Sequence, residues 1–88
     1  MITNLKLFSP DGVQSATFEA RIEPQAPYSI VPGSILLRLG IDPTRDLVAS
    51  KLIYPAAEVD AEVEGTRSRI WCLFGEETVE PVIPSVHA

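Results

Sequence analysis

Apolar and polar residues alternate over much of the chain, which is the pattern of strands that bury one face. The first alternating segment places Thr3, Leu5 and Leu7 on one side. The second places Ala16, Phe18, Ala20 and Ile22 on one side and Ser15, Thr17, Glu19 and Arg21 on the other. Between them, Ser9-Pro10-Asp11-Gly12 has the composition of a tight turn. The pattern predicts a β-hairpin with one face in the core.

A sharp turn is predicted next, at Glu23-Pro24-Gln25-Ala26-Pro27. A turn between an alternating strand and an apolar segment is a position where an active-site loop would lie. After it, Tyr28-Ser29-Ile30-Val31 is too short and too β-branched for a helix, and Pro32 ends this short strand.

One short helix is predicted from Ile35 to Leu39, with Ser34 as its N-cap. Gly40 suits the left-handed position after a helix, and Ile41 can then pack back on Leu36. Asp42-Pro43 prevents continuation of the helix. So short a helix must press its apolar side onto the strands to be stable.

The second half of the chain predicts further strands. Leu47 to Tyr54 is predicted as one strand that ends at Pro55-Ala56-Ala57. A hairpin follows, with Val59, Ala61 and Val63 on its core face and Glu58, Asp60, Glu62 and Glu64 on its wet face. A Gly65-Thr66 loop would set Glu64 opposite Arg67 and Glu62 opposite Arg69.

The last predicted elements are the second hairpin strand, from Arg67 to Phe74, an acidic loop from Gly75 to Pro81, and a final short strand at Val82-Ile83. Together the patterns predict one all-β or β-rich domain, residues 1–88, with a single short helix.

Composition narrows the classes of function. The net charge of −5 argues against nucleic acid or an anionic membrane as the main partner, since both require a basic face. The single histidine, His87, leaves little material for a metal site or a histidine base, and no cofactor is expected.

No apolar run is long enough for a bilayer-spanning helix. The N-terminal residues lack secretory character and Cys72 is the only cysteine, so a cytoplasmic protein is expected. Because 88 residues bury only a modest core, a homodimer is expected too.

The order of these features resembles that of the retropepsin-like aspartic protease superfamily, in its small bacterial members. In that family a strand ending in Ala-Leu-Val-Asp-Thr-Gly-Ala precedes a short strand, a proline and a Leu-Leu-Glu-Arg-Leu-Gly helix. Here Ala20-Arg21-Ile22-Glu23-Pro24-Gln25-Ala26 holds the first position, and Ser34-Ile35-Leu36-Leu37-Arg38-Leu39-Gly40 matches the helix. Val63-Glu64-Gly65 and Leu73-Phe74-Gly75-Glu76-Glu77 look like the second hairpin and the loop before the final motif, and Glu80-Pro81-Val82-Ile83 like the strand leading into it. The resemblance implies a half-barrel fold.

The departures from the family fall at its catalytic motif. The resemblance implies homodimers in which each subunit gives one aspartate to a proton-sharing dyad. Glu23 holds the aspartate position and adds a methylene, Pro24 lacks the threonine hydroxyl and an N–H, and Gln25 adds a Cβ where the family has glycine. Ala26 keeps the last position of the motif. Charge is retained while the geometry of the dyad is not.

Two further departures concern the segments that cover and join the family's subunits. Between Leu47 and Glu58 the family has a glycine-tipped hairpin, the flap, and Lys51 to Ala57 leaves little room for one. After Ile83-Pro84 the family's C-terminal helix and terminal strand are expected to be missing, so the family's mode of dimerisation is in question. Some dimer could still form through an exposed strand edge.

Two functions follow from the resemblance. The preferred hypothesis is a non-catalytic relative that binds a peptide, another protein or itself. The rival is a homodimeric aspartic-type peptidase that uses Glu23 from each subunit. A β-barrel that binds nucleic acid would need a basic groove, which the charges do not offer.

Three other features have simpler interpretations. The acidic stripe from Glu58 to Glu64 could suggest calcium, but side chains spaced by two along a strand do not converge, so an arginine-paired, solvated face is expected. Trp71 could anchor a partner but is more often packed in so small a domain. Cys72 has apolar neighbours and is expected to be a core residue.

Overall fold

A computed structural model of the chain describes residues 1–85. Its elements, in chain order, are β1 (Ile2–Phe8), β2 (Ser15–Ile22), β3 (Ser29–Pro32), α1 (Gly33–Arg38), β4 (Arg45–Ala49), β5 (Leu52–Val63), β6 (Thr66–Gly75) and β7 (Val82–Ile83). The prediction of a β-rich protein with one short helix is confirmed for this part of the chain. His87 and most of the segment predicted to lack the C-terminal helix lie outside the described residues.

All seven strands belong to one sheet, in the order β1-β2-β7-β3-β6-β5-β4. A further pairing joins β1 to β5, through Leu5–Leu7 and Ala61–Val63. Six strands therefore form a closed ring around the core. Among residues 1–85, β4 lies outside this ring and pairs with β5 alone. The ring places the hydrophobic side chains of opposite strands against each other.

The core consists of the apolar faces of these strands together with one side of α1. Its fully buried members include Leu5, Leu7, Val31, Leu36 and Cys72, all 0% exposed. Val59, Ala61, Val63 and Ile70 add the β5–β6 hairpin to the same cluster. The alternation predicted for these strands is confirmed.

The first hairpin has the predicted form. β1 and β2 pair antiparallel from Ile2 opposite Arg21 to Phe8 opposite Ser15. The turn between them is held by the hydroxyl of Ser9, which donates to Asp11 at 2.6 Å and accepts from the N–H of Gln14 at 3.0 Å. Hydrogen bonding from Ser9 lowers the pKa of the Asp11 carboxyl.

The helix begins earlier than predicted. It starts at Gly33 rather than Ile35, its N-cap is Pro32, and no side chain caps it, so the role predicted for Ser34 is wrong. The end is as predicted: Gly40 has a φ of +75°, and Ile41 N–H donates to Leu36 O at 3.0 Å. This bond satisfies a helix carbonyl that would otherwise lack a donor.

The segment predicted as one strand from Leu47 to Tyr54 is a hairpin. β4 and β5 pair from Arg45 opposite Ala56 to Ala49 opposite Leu52, and Ser50-Lys51 forms the turn. Both turn residues have positive φ, 50° and 65°, which is the geometry of a two-residue hairpin loop that follows strand twist. Pro55 lies within β5 instead of ending a strand. The expectation that residues between Leu47 and Glu58 leave little room for a hairpin is wrong.

The β5–β6 hairpin is present, but its turn lies one residue earlier than predicted, so the predicted register is wrong by two residues. The turn is Glu64-Gly65, with φ values of 51° and 81°, and Val63 lies opposite Thr66. Glu62 consequently lies opposite Arg67 and Asp60 opposite Arg69. Opposite charges still meet across the strands, and Arg69 Nη1 lies 3.0 Å from Asp60 Oδ1. The arginine-paired interpretation of the acidic stripe is supported at this pair.

β7 lies between β2 and β3 and completes the ring. It pairs parallel with the end of β2, through Arg21 with Val82 and Ile22 with Ile83, and antiparallel with β3. The predicted final short strand at Val82-Ile83 is confirmed. Within residues 1–85, no helix is long and apolar enough to cross a bilayer.

Candidate functional site

The predicted turn after β2 is a tight, hydrogen-bonded one. Ala26 N–H donates to Glu23 O at 3.0 Å, which places Pro24 and Gln25 at the two central positions. Proline is favoured at the first of these, and Gln25 keeps a negative φ, so the turn requires no glycine. Glu23 N–H donates to Ile83 O at 2.9 Å and thereby fixes the start of the turn on β7.

The Glu23 carboxylate is paired with a cation of its own strand. Its Oε2 lies 3.0 Å from Arg21 Nη1, and Arg21 Nε lies 3.6 Å from Glu80 Oε1. The Glu23 and Arg21 side chains are 38% and 43% exposed, so the pair contributes little to stability. Its consequence is geometric, because the Glu23 carboxylate is directed to Arg21 of its own strand.

The β4–β5 hairpin lies across from this turn, and the two enclose a cleft of about 310 Å³. Glu23, Gln25 and Ala26 line the cleft on the turn side. Ala49, Ser50 and Tyr54 line it on the hairpin side. Pro24, the remaining predicted site residue, is exposed at the corner of the turn and does not line the cleft. The structure therefore brings three of the four predicted site residues to one surface.

A second and larger cleft, of about 610 Å³, continues beneath the other side of the hairpin. Its walls come from the hairpin, from the end of β6 and from the loop that follows, with Leu52, Phe74 and Val79 among the lining side chains. Ile30 and Tyr54 line both clefts. We therefore treat the two as one groove, the hairpin groove, which runs from the Glu23 turn to the loop at residues 76–79.

The far wall of the hairpin groove depends on close packing at Gly75. A Cβ at this position would lie 2.8 Å from Val79 Cγ1 and 3.1 Å from Val31 O, so only glycine lets the loop approach β3 this closely. The loop is also tied to α1, since Ser34 N–H donates to Glu77 Oε2 at 3.1 Å. Hydrogen bonding from Ser34 lowers the pKa of the Glu77 carboxyl.

The hairpin that covers the groove exposes large apolar side chains. Val48 is 64% exposed, Leu52 is 58% exposed and Ile53 is 70% exposed. All three flank the Ser50-Lys51 turn, with Val48 opposite Ile53. Exposed apolar side chains grouped beside a groove are typical of interaction sites.

Other candidates for chemistry are weaker. Among residues 1–85, no group of three or more His, Cys, Asp or Glu side chains could hold a metal ion. Cys72 is buried, and burial raises its pKa to about 12, so the thiol is an unreactive core group as predicted. Trp71 is half-buried, with the Arg45 guanidinium 5.5 Å from its ring centroid, so it is packed by a neighbouring cation.

The sequence prediction found the turn and missed the rest of the groove. The walls that the sequence did not predict are formed by Tyr54, Leu52, Phe74 and Val79. The fold brings these residues to Ile30 from distant parts of the chain. One signal could have indicated the hairpin: apolar pairs lie on either side of a two-residue polar turn, in Val48-Ala49-Ser50-Lys51-Leu52-Ile53.

The structure defines a β-rich protein with a groove beside the β4–β5 hairpin. Comparison of the chain with protein-family models, with curated proteins and with solved structures found no significant match. The function is therefore argued from the groove and from the residues that line it.

Proposed function

We propose that this protein is a non-catalytic member of the retropepsin-like superfamily and that it binds an extended peptide segment in the hairpin groove. The observation that carries the proposal is the placement of the β4–β5 hairpin over the Glu23 turn, with Ile30 and Tyr54 common to both halves of the groove. A hairpin facing a turn after an inner strand is the arrangement that the resemblance implies.

The shape and chemistry of the groove suit an extended chain. Both halves of the groove are open at the surface and largely apolar, and they share Ile30 and Tyr54 as lining residues. Apolar walls with a few polar groups at the ends are typical of sites that take side chains from a peptide in alternate pockets. The exposed Leu52 side chain on the hairpin would lose water on contact with such a peptide, which favours binding.

The absence of catalysis is proposed from the state of Glu23. A peptidase dyad needs two carboxylates close enough to share one proton. Here the carboxylate faces Arg21 at 3.0 Å, and Arg21 is held in turn near Glu80. Pro24 offers no side-chain hydroxyl or N–H to brace a second turn against the first. The turn is built as a stable surface corner instead.

The test is a peptide-binding measurement on matched hairpin variants. Peptides that bind the full chain are first selected from a random library. They are then labelled with a fluorophore, and their affinities are measured by fluorescence polarisation. Leu52→Glu, which places a charge in the groove, is expected to weaken binding about tenfold or more. Val48→Glu is the control, because Val48 is as exposed as Leu52 but does not line the groove.

Two results would contradict the proposal. One is that none of the selected peptides shifts the amide resonances of Ile30 and Tyr54 in NMR spectra. The other is equal loss of affinity in Leu52→Glu and Val48→Glu, which would place the peptide outside the groove.

The peptidase is the second candidate, because Glu23 does line the groove. It predicts pepstatin-sensitive peptide cleavage at acid pH that Glu23→Ala abolishes. Glu58→Ala, which removes an exposed carboxylate of β5 that does not line the groove, is the control and would leave cleavage unchanged. The non-catalytic proposal expects no cleavage above background in any of the three proteins.

A further inference from the structure

The beginning of strand β5 has one edge without a partner strand. β4 pairs with β5 from Leu52 to Ala56, whereas β6 pairs with it only from Ala56 onward. Among residues 1–85, the stretch from Leu52 to Pro55 is therefore open on the β6 side. The pairing with β6 stops at Pro55, because proline has no N–H to donate to a neighbouring strand. An open edge of this kind can accept another strand.

The turns at the two ends of β5 show which backbone groups face the open edge. In a two-residue hairpin turn, the residues on either side of the turn are hydrogen-bonded to each other. Leu52 is therefore bonded toward β4, and Val63 is bonded toward β6. Since backbone groups alternate between the two edges along a strand, counting from either turn directs the N–H and C=O of Ile53 to the open edge. Among residues 1–85, neither group has a backbone partner there.

The larger half of the hairpin groove runs along this open edge. Its lining includes four consecutive residues of β5, from Leu52 to Pro55. Consecutive residues of a strand direct their side chains to opposite faces of the sheet. A cleft lined by four in a row therefore follows the edge of the strand rather than one face. Phe74 and Val79 stand on the other side of the cleft and make that wall apolar.

The same half of the groove carries a carboxylate without a cation beside it. Glu76 is exposed and lines the cleft. Within residues 1–85, Glu76 forms no ion pair, and no Lys or Arg lines either half of the groove. Glu23, the other carboxylate of the groove, differs because Arg21 lies 3.0 Å from it. A cation for Glu76 would therefore come from the occupant of the groove.

We propose that the occupant of the hairpin groove is a cationic peptide that adds as a strand to the open edge of β5. One peptide residue pairs with the N–H and C=O of Ile53, and a nearby Lys or Arg of the peptide lies at Glu76. Apolar side chains of the peptide contact Leu52, Phe74 and Val79. This inference rests on the proposed function and deepens it, since it names the charge of the peptide and the way its backbone is held.

The charge of the protein favours a separate cationic peptide over a second copy of this chain. Each chain carries a net charge of −5, so two copies repel each other. The same charge attracts a cationic peptide and increases its rate of association. A second copy also offers no advantage at Glu76, because an acidic surface would approach an unpaired carboxylate.

Two libraries of short random peptides test the charge preference on the full chain. They are identical except for the central residue, which is Arg in one library and Glu in the other. Binding peptides are expected to come mainly from the Arg library, and Glu76→Lys should weaken their affinity roughly three- to tenfold. Glu64→Lys is the matched control, because it changes the net charge equally at an exposed position outside the groove. Its expected effect is less than about twofold.

Amide hydrogen exchange tests the strand pairing. A bound peptide from the Arg library should slow exchange of the Ile53 N–H about tenfold or more, because this group gains a hydrogen-bond partner. Val48 is the internal control, since it lies opposite Ile53 and directs its backbone groups to the outer edge of β4. Exchange at Val48 should stay unchanged. Circular dichroism checks that the variants are folded.

Three results would overturn the inference. Equal recovery of binding peptides from the two libraries would overturn the cationic preference. So would equal effects of Glu76→Lys and Glu64→Lys in folded protein. Unchanged exchange of Ile53 in the saturated complex would overturn the strand pairing.

These failures are distinguishable from failure of the proposed function. Peptides that shift the resonances of Ile30 and Tyr54, and that Leu52→Glu weakens, would leave peptide binding in the groove standing. If no peptide shifts Ile30 and Tyr54, the proposed function and this inference both fail. Changes at Ile53 that grow with the concentration of the protein alone would identify a second copy as the occupant and overturn the inference.

Discussion

The two hairpins that share β5 have the same kind of turn and opposite surroundings. Ser50-Lys51 and Glu64-Gly65 are both two-residue turns with positive φ at each position. The β5–β6 hairpin sends Val59, Ala61 and Val63 into the core. The β4–β5 hairpin leaves its largest apolar side chains near the turn exposed to water. The difference lies in packing, because the turn geometry is common to both.

This difference in burial separates a hairpin that stabilises the fold from one that has an exposed apolar surface. The β5–β6 hairpin and its charge pairs are accounted for by stability, since burial and cross-strand pairing stabilise it without any ligand. Burial does not account for Val48, Leu52 and Ile53. A hairpin that holds its form while exposing such side chains beside a groove has a surface available for a partner.

The largest expected effect comes from placing the same charge in each hairpin. Val59→Asp puts a carboxylate where the side chain is 2% exposed, and it should cost roughly 3–5 kcal/mol of unfolding free energy. That is a large part of the stability of a domain this size. Val48→Asp, at a position 64% exposed, should change stability by less than about 0.5 kcal/mol. Urea unfolding followed by tryptophan fluorescence measures both, and similar losses would remove the contrast between the hairpins.

The features that sequence predicts well are those set by neighbouring residues. β1 and β2 follow from alternation around Ser9-Pro10-Asp11-Gly12, and the end of α1 follows from Gly40. The β4–β5 turn was missed because Ser50 and Lys51 rarely adopt positive φ, so no glycine or asparagine marks the position. The register of the next hairpin was wrong because Gly65 is the second turn residue, and Glu64 carries the first positive φ.

The candidate site divides in the same way. The turn at Glu23 is local, and proline and the preceding strand indicate it. The groove is not local, because Ile30 meets Leu73 only through the parallel pairing of β3 with β6, and Tyr54 comes from a third strand. The ion pair between Glu23 and Arg21 is not predictable from the strand pattern either. Alternation indicates that the two side chains lie on the same side of the strand, but it does not show that they are in contact.

The second and smaller expected effect is a pH-dependent change in stability, caused by the Cys72 thiol of the β5–β6 hairpin. A thiol placed in the β4–β5 hairpin serves as the comparison. Burial raises the pKa of Cys72 in β6 from its ordinary value of 9.0 to about 12. The unfolded chain therefore loses this proton near pH 9, while the folded chain retains it. The stabilisation linked to this thiol is fully present below about pH 9 and is lost as the pH rises toward 12.

Unfolding free energies from pH 7 to pH 11 check this expectation. Wild-type stability should fall above about pH 9 more steeply than that of Cys72→Ala, so the difference between the two narrows. For comparison, Ser50→Cys in the Cys72→Ala background places the thiol on the exposed turn, where it should react rapidly with a thiol reagent at pH 8, unlike native Cys72. Parallel pH curves for the wild type and Cys72→Ala would contradict the prediction.

The smallest expected effect on stability comes from substitutions in the two turns. These substitutions also test whether the two hairpins unfold together. Gly65→Ala should cost about 1 kcal/mol, because Gly65 has a φ of +81° and a new Cβ would meet nothing within 4 Å, so backbone strain is the only penalty. Lys51→Gly should relieve strain of similar size at a φ of +65° and stabilise the β4–β5 hairpin. Urea unfolding should detect both changes if the protein unfolds as one unit. If the β4–β5 hairpin opens separately, Lys51→Gly will slow amide exchange in β4 alone while leaving the urea midpoint unchanged. That second result would mean that the groove is covered by an element able to open without unfolding the ring, since β4 pairs with β5 only among the strands that the structure describes.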